Sequence, residues 1–184
     1  MVSFMIMRKK ILEFVDRSYF SIGTIGDTEW PGVLYYMECF LHNLWLEEAK
    51  KGVNAYYERS INDFSIDYGD ADEDYYVAFS NRSLLDLKQY EVEIDGQRFV
   101  DSAQIPKLKL SYENFDYVFK AWVQINEQNP KYLIITQDDA GWVGLQGKEE
   151  LDVDEIALVE QCQRKQEEWM EERKRDRDRA DNLK

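Results

Sequence analysis

The sequence predicts an α+β fold: one domain of antiparallel β-hairpins packed against two amphipathic helices, with a charged helix after it. Three observations carry that prediction. Apolar residues recur at three- and four-residue spacing in two separate stretches. Between them, alternating residues flank an Asp-Gly dipeptide that favours a tight hairpin turn. Glu171 to Arg179 is almost entirely alternating charge.

The elements follow in order. Met1 to Val15 holds an apolar run ahead of Arg8-Lys9-Lys10, the reverse of a secretory signal, so no export signal is expected. From Trp30 to Ala49, Leu34, Met37, Leu41, Leu44 and Trp45 keep helical spacing, Pro31 suits a first turn and Gly52 a stop. Val53 to Ser80 breaks into β-prone pieces, Ala55-Tyr56-Tyr57, Phe64-Ser65-Ile66 and Tyr75 to Phe79, separated by Asn, Asp and Gly. Tyr90 to Ile94 and Gln97 to Val100 flank Asp95-Gly96, the sharpest hairpin signal in the chain.

Ser111 is placed to cap a second helix, in which Tyr112, Phe115, Phe119, Trp122 and Ile125 form the apolar stripe and which Asn129-Pro130 ends. Tyr132 to Thr136 and Trp142 to Leu145 read as two strands joined across Gln137 to Gly141. From Val153, Ile156, Val159, Gln163, Gln166 and Met170 line one side of a helix. The expected division is a globular domain over 1–152 and a C-terminal helix over 153–184, docked at its start and exposed or frayed after about residue 171.

Composition narrows the function. A formal net charge of -14 repels phosphate backbones and anionic lipid, so direct nucleic-acid and membrane binding are not expected, and basic proteins or cations are the favoured partners. No run of about 18 apolar residues exists to span a bilayer. Cys39 and Cys162 form no CxxC pair and fit reduced thiols, which points to the cytoplasm. Cys39 and His42, the single histidine, share a helix face but lack the further ligands that zinc requires. Neither a nucleophile elbow nor a phosphate-cradling glycine loop appears, so no catalytic residue, cofactor or metal is assigned.

The most pronounced cluster is acidic. Asp63, Asp67, Asp70, Asp72, Glu73 and Asp74 lie close together, without Lys or Arg between Arg59 and Arg82. An EF-hand loop begun at Asp70 fails, because Tyr75 and Asn81 stand where Gly and Glu are required. An irregular calcium site from Asp67, Asp70, Asp72 and Asp74 stays open, as does a merely solvated loop. The surrounding tyrosines favour a third reading: carboxylates can bind Arg in paired hydrogen bonds, and Tyr adds contact area at low entropic cost. The expected partner-binding residues are therefore Asp67, Asp70, Asp72, Glu73, Asp74 and Tyr75, with Asp139 and Trp142 as a second patch. Asp138-Asp139 is expected to serve its turn rather than acid-base chemistry.

Residues Ser111 to Lys148 carry Asn114-Phe115, Lys120-Ala121-Trp122, Asn129-Pro130-Lys131-Tyr132-Leu133-Ile134-Ile135 and Gln137-Asp138-Asp139-Ala140-Gly141-Trp142-Val143. This segment resembles the closing part of small immunity proteins from bacterial polymorphic-toxin and contact-dependent growth inhibition systems. The resemblance implies a non-enzymatic inhibitor that binds a cognate toxin domain in the cytoplasm, as the antitoxin partner of a basic, nuclease-type toxin. Two other classes compete: a nucleic-acid mimic that inhibits a host DNA- or RNA-processing enzyme, and a carboxylate- or metal-dependent enzyme. A mimic would space its carboxylates like phosphates. An enzyme would show metal-dependent turnover.

Overall fold

The computed structural model describes residues 6–26, 33–52, 65–71, 74–80, 87–101, 104 and 107–181. Four α-helices and nine strands are found among them, and the fold is α+β with antiparallel sheets, as the sequence predicts.

Strands β1 (Ile6–Val15) and β2 (Ser18–Ile25) form the first hairpin. Its turn residues Asp16 and Arg17 have φ of 49° and 71°, the left-handed pair that a two-residue turn demands. Nothing in the pattern of Arg8-Lys9-Lys10 announces a strand with a buried centre, yet Lys10, Ile11 and Leu12 are all buried. Helix α1 (Val33–Asn43) follows, then the short α2 (Leu46–Ala49).

The single helix expected over Trp30 to Ala49 is thus two. The chain breaks at Leu44-Trp45, where Trp45 is extended at φ -66° and ψ 141°. The break frees the Leu44 carbonyl to accept a hydrogen bond from the Trp122 indole at 3.0 Å. Trp45, counted in the apolar stripe, is instead 75% exposed. Trp30 and Pro31 lie outside the described residues.

Strands β3 (Ser65–Ala71) and β4 (Asp74–Ser80) pair, and β4 also pairs with β7 (Leu108–Ser111). A 3₁₀ turn at Leu87–Tyr90 leads into the separate β5 (Glu91–Ile94) and β6 (Gln97–Val100) hairpin. Asp95 and Gly96 have φ of 53° and 75° there, confirming the expected turn. Ala55-Tyr56-Tyr57 lies outside the described residues.

Helix α3 (Tyr112–Gln128) begins and ends where the sequence places it. Ser111 Oγ accepts a hydrogen bond from the Asn114 N–H at 3.1 Å, and Asn129 closes the helix in the left-handed conformation. Strands β8 (Tyr132–Asp138) and β9 (Val143–Lys148) complete a four-stranded sheet in the order β2-β1-β8-β9.

One side of this sheet supplies Leu12, Leu133, Ile135, Val143 and Leu145 to a core filled by Phe40, Phe115 and Phe119 from α1 and α3. Phe115 and Phe119 meet edge to face, with ring centroids 4.9 Å apart. Ile11 and Ile134, opposite each other in the ladder, are also buried but belong to no part of that core. Their side is crossed by α4 (Val153–Asp181). A β-carbon on Gly23 would stand 3.2 Å from Val159 Cγ2, so the missing side chain lets this helix approach the sheet closely.

The start of α4 is fastened by charge. Asp152 and Glu155 form a reciprocal cap: Asp152 Oδ1 accepts from the Glu155 N–H at 2.9 Å, and Glu155 Oε2 accepts from the Asp152 N–H at 3.1 Å. Glu155 is buried and pairs with Lys9 at 3.3 Å and Lys148 at 2.7 Å.

Candidate partner-binding surface

In the acidic stretch, two segments are paired backbone rather than an open loop. Asp67 stands opposite Ala78, Asp70 opposite Tyr75 and Ala71 opposite Asp74. Pairing with β7 stops where Tyr76 meets Ser111. Asp70, Asp74 and Tyr75 therefore occupy the end of the hairpin that extends past the third strand. Asp63, Asp72 and Glu73 lie outside the described residues.

The second patch forms the turn between β8 and β9. Asp138 Oδ1 accepts hydrogen bonds from the backbone N–H of Ala140 at 3.0 Å and of Trp142 at 2.8 Å. Gly141 takes φ 86°, a conformation that a side chain would strain. Asp138 thus serves the turn through its side chain, as the sequence suggests. Asp139 carries no such duty in the turn and is exposed. Trp142 is 36% exposed and its ring lies 5.6 Å from that of Tyr117, so it packs on one side and is solvent-accessible on the other.

These two patches, far apart in sequence, flank the same helical turn. Ser111 ends β7 opposite Tyr76 and caps α3. Three residues on, the buried Asn114 donates from Nδ2 to the Val143 carbonyl at 2.8 Å and accepts at Oδ1 from the Val143 N–H at 2.8 Å. The first turn of α3 is therefore held between the end of the β3–β4–β7 sheet and the start of β9, next to Trp142. Tyr112 and Glu113 are exposed on that turn, and Asp116 is half-buried one turn further.

Sequence reasoning missed this contribution. Tyr112 reads as part of the buried stripe, but the structure leaves it 40% exposed. Its position at the first helical residue, before the stripe has a neighbour to pack on, was the available signal. Asp116 pairs with Lys120 one turn on, which neutralises part of the charge at this end.

The remaining candidates are occupied structurally. His42 Nε2 lies 2.7 Å from the Tyr19 carbonyl. Burial pushes the Cys39 thiol above its ordinary pKa, against what a nucleophile needs. Tyr35 is pushed up to about 12, chiefly by its hydrogen bond with Cys39. Among the described residues no three His, Cys, Asp or Glu side chains gather as a metal-binding group. No helix among them is long and apolar enough to cross a membrane. Comparison of the chain with known proteins finds no matching family model, no similar curated protein and no similar solved structure.

Proposed function

We propose that the chain is a non-enzymatic inhibitor of the immunity type, which binds a basic toxin domain in the cytoplasm through an acidic, tyrosine-containing surface. The observation that carries this reading is the convergence at the N-terminal turn of α3. Asp74-Tyr75 leads into the Tyr76 that pairs with Ser111, and Asp139 to Trp142 lead into the Val143 that bonds Asn114, so both segments run up to that turn. Carboxylates among aromatic rings suit recognition of Arg-rich surfaces, where charge directs the encounter and the rings supply contact area. The net charge of -14 adds a field that steers a basic partner and weakens as salt rises.

The test is affinity capture of the tagged full chain from its native lysate at low and moderate salt. The expected result is one stoichiometric basic protein that is toxic when expressed alone and harmless when expressed with this chain. A captured protein whose toxicity is unchanged by co-expression would overturn the reading. So would metal-dependent turnover of a substrate by the purified chain, lost on changing one acid.

A further inference from the structure

The two edges of the four-stranded sheet are closed in different ways. On β9, Asn114 takes the N–H and carbonyl of Val143, and the Tyr117 hydroxyl donates to the Leu145 carbonyl at 3.3 Å and accepts from its N–H at 3.5 Å. Both of these side chains belong to α3, whose apolar stripe fills the core. On β2, the Thr24 N–H donates to Cys162 Sγ at 3.4 Å, and the thiol donates to the Thr24 carbonyl at 3.5 Å. This second closure belongs to α4, none of whose described residues is part of the core.

Helix α4 is attached over a short length. Among its described side chains only Glu155 is buried, while Leu158, Val159 and Cys162 are half-buried. Every residue from Gln163 to Arg179 is exposed, so the attachment ends at Cys162. It consists of the ion pairs of Glu155 with Lys9 and Lys148 at one end, Val159 against Gly23 in the middle, and the thiol on Thr24 at the other end. Beneath it lie the buried Ile11 and Ile134. Alternation along β1 puts Lys9, Ile11 and Glu13 on this same side, and Ile25 and Phe20, opposite Lys9 and Glu13 in the ladder, are exposed.

We infer that α4 is a detachable strap, whose docked turns leave the sheet as a unit while the core between the sheet and α1 and α3 stays folded. Segments with few buried apolar contacts open at lower free energy than the body that carries them. The open form joins Ile11 and Ile134 to Ile25 and Phe20 in one apolar strip, and frees the backbone of Thr24 on the β2 edge. Release of one helix thus turns a covered row and a closed edge into exposed ones. The β9 edge has no such release, because its closure is part of the core helix. The inference does not depend on the toxin-binding reading, which concerns the first turn of α3.

Native-state hydrogen exchange of the full chain, read at urea concentrations below its unfolding transition, tests it. Amides of the docked turns up to Cys162 should exchange at least about a hundredfold faster than those of α3, with a weaker dependence on urea. Ser111→Ala weakens a contact that the open form keeps, so it should speed α3 about fivefold and leave the docked turns at the wild-type rate. Glu155→Gln and Gly23→Val weaken contacts made only in the closed form. Each should raise opening of the docked turns by at least about tenfold and increase binding of an apolar fluorescent dye under native conditions. Equal acceleration of α3 and α4 by Ser111→Ala would show one cooperative unit and overturn the inference. Dye binding at the wild-type level in both Glu155→Gln and Gly23→Val would do so as well, since the face would then stay covered.

Discussion

Lys10 Nζ lies 2.8 Å from Glu38 Oε2 between β1 and α1, with the two side chains only 9% and 10% exposed. The ammonium also stands 5.2 Å from the Tyr35 ring centroid. A charged pair in this position holds the central strand to the helix only while both members are present. Glu38→Leu alone should cost about 3 to 5 kcal/mol, because the Lys10 charge is left buried without its counter-ion. Lys10→Met with Glu38→Leu should recover most of that loss. Urea unfolding of the single and double variants measures both, and equal destabilisation in the two would show that packing rather than charge matters here.

Asn114 joins α3 to β9 through both atoms of its amide. Asn114→Leu should destabilise by about 2 kcal/mol or more, since it strands a buried donor and a buried acceptor on Val143. Ser111→Ala removes only a helix cap and should cost about 1 kcal/mol. If the binding surface depends on this clamp, Asn114→Leu should also weaken partner binding under conditions where the variant remains folded. Thermal melts and binding titrations of the two variants make the comparison.

The cap at Asp152 gives a pH dependence of known sign. Its carboxyl is held below the ordinary 3.8, first by the backbone hydrogen bond with Glu155 and next by Lys148. The unfolded chain therefore takes up this proton at a higher pH than the folded chain does. The contribution is fully present above the ordinary value and is lost as pH falls below about 3.8 toward the depressed folded value. Asp152→Asn should flatten this part of the acid limb in melting temperatures taken from about pH 5 downward. An unchanged acid limb would show that other carboxylates govern it.

Local chemistry made much of this fold readable. Asp95-Gly96, Ser111 and Asn129-Pro130 each act within a few residues, and the structure uses them as the sequence suggests. The N-terminal hairpin was not legible, because Lys10 reads as a surface residue until Glu38, from another element, is brought beside it. The break at Leu44 was hidden for the same reason, its compensation being the indole of Trp122. At the candidate surface, Asp70, Tyr75, Asp139 and Trp142 could be named from composition. That Ser111, through its pairing with Tyr76, and Asn114, through Val143, would bring two such segments to one helical turn could not, since that requires knowing the strand pairing.

Replacing Asp70, Asp72 and Asp74 together by Asn should slow association with the basic partner by at least about tenfold at low salt, with a smaller effect at high salt. The melting temperature should change far less than it does for Glu38→Leu. Stopped-flow association rates at two ionic strengths decide it, and unchanged kinetics at low salt would remove the hairpin end from the binding surface.

The four-stranded sheet places β1 between β2, its immediate successor, and β8, from which most of the chain separates it. During synthesis the first hairpin must wait, with one side of β1 unpaired, until nearly the whole core has been made. Such non-local closure slows folding and leaves a strand edge open to other chains meanwhile. Once β8 arrives, early and late segments share one ladder, so neither can peel away without opening the same row of hydrogen bonds.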